Sequence, residues 1–565
     1  MKRIFTKFSV LTFLCLLFIN AAFAQNITVK GVVTDGSDKS TIPSVSVMVK
    51  GTTTGAQTDA AGRYSISAPA NSTLVFTYIG YVTKEVAIAG QTTINVTLAS
   101  ASQQLDQVVV VGYGTQRKID VTGAVANLKG DEISKQASTN PVAALQGKIA
   151  GVSITNTGTP GTTPQIRIRG LGTIFGNQAP LYVVDGVWYS DINFLNPGDI
   201  ENMSVLKDAS AQSIYGIRAA NGVVLITTKK GKLGTPTTVN YDAYAGFQKV
   251  TNQVKMANAS EYAQFTNELS VLNGGAPVFA NTNLGAGTNW YNQILRDAFV
   301  TNHNVSVNGG TEKSTYNISL GYLDQDGIIK TNNYKRYTAR VSNDIQIYKN
   351  LKVGYNITGV MGKSNDVPTT IYHQLYAAAP SIPVFNPDGS YGDPRSQNLG
   401  DGANFNPQAT IDFNNQITKQ YSVTGNIFAE LNFAKHFTFK TSVGGEFGQF
   451  ENRKYSPKYY ATYAQKSDAS ELDIVRVDTR NWIIENTLTY QNTFNEDHNL
   501  TVLLGQSAQS NKSYTLNGSA QNVPFNTEAD LYLSLGDPGS RTVSDAGSRI
   551  TFSSYFSRAN YAFKK

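Results

Sequence analysis

The stretch 421–433 reads YSVTGNIFAELNF, and its side chains alternate between two kinds. Every odd position from Tyr421 to Phe433 is aromatic, apolar or small, and every even position except Phe428 is polar. Successive side chains of a β-strand point to opposite faces, so a period of two predicts a long strand with one apolar and one polar face.

Two other stretches repeat this pattern. At 437–447 phenylalanine and valine alternate with threonine, lysine, serine and glutamate, and at 316–322 the sequence is YNISLGY. Alternation over about ten residues, with aromatic residues at strand ends, is typical of transmembrane β-strands that face lipid on one side and a polar lumen on the other. Strands of soluble sandwiches also alternate, but they are usually shorter and their polar face is less regular.

The spacing of the strands supports the interpretation that they are transmembrane β-strands. We predict ten strands, near 238–249, 301–309, 313–323, 335–347, 351–362, 419–433, 436–448, 481–494, 498–506 and 549–563. Very short connections alternate with longer ones along this series, as periplasmic turns and extracellular loops do in outer-membrane barrels. Residues 232–565 are therefore predicted to form part of a transmembrane β-barrel.

Ten strands are few for the domain that precedes them. A barrel of about eight strands encloses only side chains, whereas plugged transporters use about 22 strands. Residues 115–231 could not fit inside ten strands, and a last strand without a partner would leave unpaired backbone groups in hydrocarbon. We therefore expect the chain to stop within a barrel of about 22 strands; the alternative is a complete ten-stranded barrel with that domain outside it.

The N-terminus predicts export. Residues 1–24 combine a basic start, an apolar segment too short to favour a spanning helix, and the cleavage sequence Ala22-Phe23-Ala24. Cleavage after Ala24 would make Gln25 the first mature residue; the alternative is an uncleaved membrane anchor. The only cysteine, Cys15, lies in this signal, so the mature chain has no disulfide and no thiolate metal site.

Residues 25–99 contain six or seven short β-rich segments separated by turn signals, which predicts a small β-sandwich. Its aspartates Asp35, Asp38 and Asp59 suit calcium, but aspartates that form turns are the commoner case. The next segment, 100–114, begins with a polar linker and then contains four consecutive valines, Val108–Val111. These valines have no obvious partner strand, so they are suited to adding to the sheet edge of another protein; an ordinary buried strand of the next domain is the alternative.

Residues 115–231 read as a mixed α/β domain. We predict helical segments at 140–149 and 209–215, and strands at 151–155, 165–169, 181–184, 200–206 and 222–228. Several of its short motifs are distinctive: IRIRG at 166–170, PLYVVDG at 180–186, VLKDASA at 205–211 and SIYGIRAANGVV at 213–224.

With LDQVVVVGYGTQRK at 105–118, these motifs resemble the SusC/RagA family of TonB-dependent outer-membrane importers, and the resemblance covers the whole mature chain. It implies a mainly β protein: a carboxypeptidase-regulatory-like β-sandwich at 25–99, a linker and TonB box at 100–114, an α/β plug domain at 115–231, and a partial barrel at 232–565. The chain departs from the family mainly in its length, since members usually run to about twice this.

The resemblance also implies a function. Such a protein, located in the cell outer membrane among its lipids, imports a glycan (oligosaccharide) or peptide too large for porins. It works with a SusD-like surface lipoprotein and is energised by the TonB–ExbB–ExbD complex. The alternative is a surface adhesin or structural β protein, which would need neither a TonB box nor plug motifs.

Candidate site residues follow from the matching motifs. The TonB box is expected at Gln107, Val108, Val109, Val110 and Val111. The plug motifs supply Arg167, Arg169, Gly170, Asp185, Gly186, Asp208, Arg218 and Gly222. The charged residues would pair with polar lumen residues and hold the plug shut, or be solvated or paired internally, while the glycines would allow turns. Trp188, Tyr189 and Phe194 would face a ligand or, more commonly for such residues, pack in the core.

Nothing in the sequence supports catalysis or nucleic-acid binding. The four histidines lie more than 60 residues apart, and no H-E-x-x-H, G-x-S-x-G or G-K-[ST] motif occurs. The net charge of +7 is spread along the chain rather than clustered. We therefore predict a protein that is not an enzyme and uses no cofactor or metal.

Overall fold

The computed structural model describes residues 26–36, 38–78, 80–99, 108–117, 125–156, 158–173, 176, 178–397, 399, 405–495, 497–525, 527–528 and 531–563. The predicted signal segment with its cleavage site at Ala24 and Gln25, and Gln107 of the predicted TonB box, lie outside these ranges. The chain divides into two compact units, Met1–Val108 with Arg117–Ile119, and Val109–Gln116 with Asp120–Lys565. Within the described ranges no helix has both the length and the apolar character needed to cross a bilayer.

The first unit is built on seven short strands. They are β1 (Asn26–Asp35), β2 (Ser46–Val49), β3 (Gly55–Gln57), β4 (Arg63–Pro69), β5 (Thr73–Thr77), β6 (Lys84–Ala87) and β7 (Val96–Leu98). They form two sheets, β4-β1-β7 and β3-β2-β5-β6. In β4, Tyr64, Ile66 and Ala68 point inward and their neighbours point outward, so the period of two fills one apolar core.

The aspartates of this unit serve its turns. The Asp59 carboxylate accepts hydrogen bonds from the backbone N–H groups of Ala61 (2.9 Å) and Arg63 (2.8 Å), and Asp38 accepts one from Ser40 (2.9 Å). Among the described residues there is no group of three or more His, Cys, Asp or Glu side chains placed to hold a metal ion.

A short hairpin follows, in which β8 (Val108–Val111) pairs with β9 (Gly114–Arg117). The expectation that the four valines would have no partner strand is therefore wrong, because the chain turns at Gly112-Tyr113 and pairs with itself. Tyr113 has a positive φ of 55°, which the tight reversal requires.

The strands of the α/β module, residues 125–228, are β10 (Val125–Lys129), β11 (Val152–Thr155), β12 (Gln165–Ile168), β13 (Leu181–Val184), β14 (Val187–Tyr189), β15 (Ile200–Leu206) and β16 (Val223–Thr228). Five of them form one sheet in the order β10-β15-β16-β13-β14, and β11 and β12 form a separate hairpin. Short helices span Gly130–Ser134 and Ala209–Gln212. The helix predicted at 140–149 is only a 3₁₀ turn, Ala143–Leu145, because the positive φ values of Gly147 and Gly151 end any helix there.

A ten-stranded antiparallel sheet, with its strands in chain order, follows the α/β module. Its strands are β17 (Thr238–Gln248), β18 (Ala298–Gly310), β19 (Ser314–Asp326), β20 (Asn333–Tyr348), β21 (Leu351–Asp366), β22 (Asn415–Phe433), β23 (Phe437–Ser456), β26 (Glu471–Phe494), β27 (His498–Gln521) and β28 (Thr542–Phe563). A small pair, β24 (Tyr459–Tyr460) and β25 (Lys466–Ser467), lies in one loop. The predicted mainly β fold, with about ten strands consistent with a barrel, is confirmed.

The two faces of this sheet are buried differently. In β22 the polar residues Ser422, Thr424 and Asn426 are buried, whereas Val423 and Ile427 are more than half exposed. A soluble protein would bury the apolar face instead. The ten-stranded sheet therefore presents an apolar outer face and a polar inner face, and the α/β module lies against the inner one.

The long connections all lie at one end of the sheet. They carry short helices at Ala259–Leu272, Trp290–Ile294, Thr370–Ala377 and Pro407–Asp412. Several of these pack around a small core that includes Trp290, Ile294 and Ile371. The loop end is thus a folded layer of its own, opposite the short turns.

Candidate functional site between the α/β module and the sheet

The interface between the α/β module and the sheet is polar and largely buried. The inner face of the sheet contributes amide, hydroxyl and guanidinium side chains that are no more than 4% exposed: Asn304, Asn317, Ser319, Arg336, Arg340, Ser342, Thr358 and Thr424. Buried polar groups need hydrogen-bond partners. The geometry of this surface is therefore set by specific contacts rather than by apolar packing.

The central contact is an ion pair between Asp185 and Arg340. Asp185 occupies the β13–β14 turn with a φ of 49°, next to Gly186 with a φ of 93°. Arg340 Nη2 lies 3.1 Å from Asp185 Oδ2, and the two side chains are 2% and 7% exposed. The Asp185 carboxylate also accepts hydrogen bonds from Thr228 N (3.1 Å) and Thr228 Oγ1 (2.5 Å), and Asn426 Nδ2 donates to the Asp185 carbonyl at 2.9 Å.

The rest of the β13–β14 hairpin fits closely against the sheet. The Tyr189 hydroxyl is hydrogen-bonded to Thr424 Oγ1 on β22. A Cβ at Gly444 would lie 2.5 Å from Val187 Cγ2, so only glycine at this sheet position leaves room for the hairpin. Burial raises the pKa of Tyr189, which keeps its hydroxyl neutral.

Arg218 makes a second charged contact. Its Nη1 donates to Gln509 Oε1 on β27 at 3.0 Å, and its guanidinium carbon lies 5.6 Å from the Trp188 ring and 5.8 Å from the Phe552 ring. Partial burial lowers the pKa of Arg218. Cation–π contacts and one hydrogen bond thus hold this charge between the module and two strands of the sheet.

Sequence reasoning did not find Arg340, Arg336 or Asp199. Arg336 Nη1 donates to the carbonyl of Asn193, and the Asp199 carboxyl is buried near Ser319 and Asn304, where burial raises its pKa. One signal in the sequence could have found the two arginines. Arg336 and Arg340 lie on the polar side of a strand whose other side is apolar, and charged side chains on such an inner face need a partner.

The other plug-motif residues lie elsewhere. Arg167 and Arg169 are exposed on and just after β12, and neither has an ion-pair partner among the described residues. Asp208 caps the helix Ala209–Gln212, accepting from Ser210 N (3.5 Å). Gly170 and Gly222 have φ values of 90° and 100°, and a Cβ at Gly222 would lie 2.5 Å from Ile168 Cδ1.

The candidate ligand-facing aromatics are packed. Trp188 meets the Tyr215 ring edge-on at 5.7 Å, and the Tyr189 and Phe194 rings are 4.8 Å apart. Tyr189 belongs to the core of the α/β module, and Trp188 and Phe194 pack against that core.

The turn of the β8–β9 hairpin contacts both the α/β module and the sheet. The Tyr113 ring stacks on Tyr215 at 5.5 Å and lies 4.6 Å from Phe556. The Tyr113 hydroxyl donates to the carboxylate of Glu485 on β26, and Arg558 Nη1 on β28 donates to the Gly112 carbonyl at 2.5 Å. Burial raises the pKa of Tyr113.

A cavity of about 370 Å³ lies beside this turn. Its lining includes Phe428, the one aromatic residue on the polar side of β22. The ammonium groups of Lys440, Lys230 and Lys352 lie 4.7, 5.4 and 5.7 Å from its ring. The apparent exception in the alternation is therefore explained, because the aromatic face stabilises three neighbouring lysine charges.

Comparisons with known proteins agree with this architecture. A model of the TonB-dependent receptor plug domain matches residues 117–223, and a model of the CarboxypepD_reg-like domain matches residues 29–110. The TonB-dependent receptor P26 of Formosa agariphila is 32% identical over 538 residues, which cover 93% of this chain and 53% of that protein.

The TonB-dependent receptor SusC of Bacteroides thetaiotaomicron is 38% identical over 462 residues, 76% of this chain and 45% of that protein. The chain spans about half the length of the curated relatives it matches. The RagAB peptide importer in its open-open state has a TM-score of 0.70 and 25% identity, covering 81% of this chain and 55% of that chain. Two domain matches, these relatives and this structural neighbour together identify the chain as a SusC/RagA-like member of the TonB-dependent receptors.

Proposed function

We propose that this chain forms part of a TonB-dependent outer-membrane importer of a glycan or peptide too large for porins. The proposed organisation is an export signal at 1–24 cleaved between Ala24 and Gln25, a regulatory-like sandwich at 25–99, a linker and TonB box at 100–114, a plug at 115–231, and barrel strands at 232–565. The partners are the TonB–ExbB–ExbD complex, a SusD-like lipoprotein and outer-membrane lipid. The related proteins are receptors and importers, so the proposal includes no catalytic step and no cofactor.

The observation that carries this proposal is the position of the β8–β9 hairpin. Val108–Val111 would be the segment that TonB grips, with Gln107 at its start. In a two-stranded sheet each strand keeps one edge without a partner in that sheet, and such an edge can accept an added strand through backbone hydrogen bonds. Only two residues further along, Tyr113 contacts both the α/β module and the sheet, so tension on the valines would reach that contact first.

The polar interface supports a movable plug. Asp185 and Arg218 would hold the α/β module against the barrel wall in the resting state. Each hydrogen bond there contributes a modest net free energy, because water replaces it when the groups separate. A mechanical pull could therefore separate the surfaces one after another, which makes transport a conformational switch.

Replacing Gln107, Val108, Val109, Val110 and Val111 together by a Gly/Ser segment tests this proposal in cells that contain the complete transport system. We expect uptake to be lost while the protein still reaches the outer membrane in normal amount. The matched control is the same replacement in the linker at 100–104, which should leave uptake unchanged. Uptake that survives loss of the valines would refute the proposal and favour an adhesin or structural role.

Cargo is tested separately. Growth on single glycans or on peptides as the only carbon source, with and without the gene, would identify the class. Co-purification of the intact protein from membranes would show whether a SusD-like lipoprotein accompanies it.

A further inference from the structure

The outer face of the sheet has a concave apolar slot. Leu320, Ala339, Gly359 and Val423 are direct cross-strand neighbours on β19–β22. Ala339 and Gly359 are small, so the surface drops between the larger side chains on either side. The resulting cavity has a volume of about 680 Å³ and an almost wholly apolar lining. The strands beneath it are paired on both sides, so it offers no free backbone edge to a peptide.

An aromatic row borders the slot on its loop side. Tyr322, Tyr337, Met361 and Tyr421 are the cross-strand neighbours two residues further along each strand. Tyr337 and Met361 are each 54% exposed, and the rings of Tyr322 and Tyr337 are 5.0 Å apart. Tyrosine rows of this kind lie at the level where lipid headgroups meet acyl chains.

A basic row lies two residues beyond the aromatic one. Lys335, Lys363 and Lys419 are again in register on β20, β21 and β22. Neighbouring strands are about 4.8 Å apart, so the three lysines start within roughly 10 Å of each other. By strand parity they share the outward face with Tyr337, Met361 and Tyr421.

The lysines keep capacity to bind another anion. Lys335 pairs with Asp324 at 2.9 Å, and Glu528 lies 3.1 Å from both Lys363 and Lys419. The three lysine side chains are 45%, 48% and 36% exposed, and each ammonium has three donors. Glu451, the cross-strand neighbour of Lys419, is itself paired with Arg453 and Arg476, so three lysines against two carboxylates leave the row net positive.

We propose that this basic row and the apolar slot together bind one phosphate-bearing lipid of the outer leaflet, its phosphate on the lysines and an acyl chain in the slot. The proposal rests on the outer-membrane location proposed above. The order of surfaces from loop to sheet centre (basic, aromatic, apolar) matches the order of phosphate, interface and acyl chain in such a lipid. The slot floor begins four residues, about 13 Å, below the lysines, a distance that one extended acyl chain spans.

Native mass spectrometry of the full chain in detergent tests the proposal, with an acylated glycolipid carrying one phosphate and the same lipid without it. The first variant, Lys335→Gln with Lys363→Gln and Lys419→Gln, removes the charges. The second, Gly359→Phe, fills the slot; a Cβ there has no other atom closer than 4.0 Å, so the backbone leaves room for the first atom of an outward side chain. The matched control removes three lysines at the short-turn end, Lys313→Gln, Lys349→Gln and Lys435→Gln.

We expect the phosphorylated lipid to be retained by the native chain and the control. Retention should weaken by at least about tenfold in each site variant and for the dephosphorylated lipid. Equal retention by all variants would reveal only non-specific surrounding lipid and overturn the proposal. Loss in the lysine variant but not in Gly359→Phe would also overturn it, because the site would then bind a phosphate group without the chain. Binding is measured without uptake, so replacement of the TonB box leaves this result unchanged and the two proposals fail separately.

Discussion

The ion pair between Asp185 and Arg340 makes the sharpest prediction about the interface. Asp185→Asn keeps the shape of the side chain and removes its charge, which leaves the buried Arg340 guanidinium without its ion-pair partner. Arg340 is 2% exposed; besides the ion pair, its Nη2 donates to Thr228 Oγ1 and its Nη1 donates to Thr358 Oγ1 at 3.4 Å. Little solvent can therefore reach the charge while the hairpin stays in place.

The size of the effect follows from burial. Removing one partner of a buried ion pair typically costs about 3–5 kcal/mol. This corresponds to a population of the open interface that rises by more than about a hundredfold. The double variant Asp185→Leu with Arg340→Met replaces the pair by apolar side chains, and it should recover most of that loss because neither member of the pair is then left buried without the other.

Hydrogen exchange of peptides covering β13–β14 measures the opening directly. Exchange should accelerate strongly in Asp185→Asn, return toward the native rate in the double variant, and stay unchanged in the β11–β12 hairpin, which provides the internal control. A change below about fivefold in Asp185→Asn would refute the argument, since the ion pair would then not hold the hairpin to the sheet.

Three further predictions concern other contacts. Tyr113→Phe keeps the ring stacking but removes the hydrogen bond to a buried carboxylate, so the β8–β9 hairpin should detach more easily by about 1–3 kcal/mol, measured as faster protease cleavage at 108–117. Gly444→Ala should lower the thermal midpoint, because its Cβ overlaps Val187, and adding Val187→Ala should restore much of it; failure of this rescue would show that the close approach is relieved elsewhere. The hydrogen bond to Asp35 raises the pKa of Tyr81 to about 12 from 10.0, so its contribution to sandwich stability is complete below pH 10 and is lost as the pH rises toward 12. Tyr81→Phe should remove that part of the pH dependence of unfolding, and an unchanged profile would contradict the assignment.

The sheet was predictable because its signal is local. Alternation with a period of two identifies a strand and its faces without knowledge of its partner, and all ten strands were found in this way. The ends of the strands were predicted less accurately. β26 begins at Glu471 rather than near 481, because residues 471–480 mix apolar and charged side chains on both faces and so carry no clear alternating signal.

The contact site was only partly predictable. Asp185 and Arg218 were selected from motifs, but their partners Arg340 and Gln509 lie 155 and 291 residues away. A single sequence contains no information on which distant polar residues meet. The predicted helix at 140–149 was wrong because of a local feature. Its apolar residues do pack in a core, as in a helix, but its glycines turn the backbone.

The polar inner face of the sheet has one more consequence. Two apolar surfaces that separate in water expose hydrocarbon and tend to stick to whatever is near. A surface of asparagine, serine and threonine becomes hydrated instead, and the same water leaves when the surfaces meet again. Such an interface can separate and re-form many times without aggregating, so its composition favours reversible opening over maximal stability.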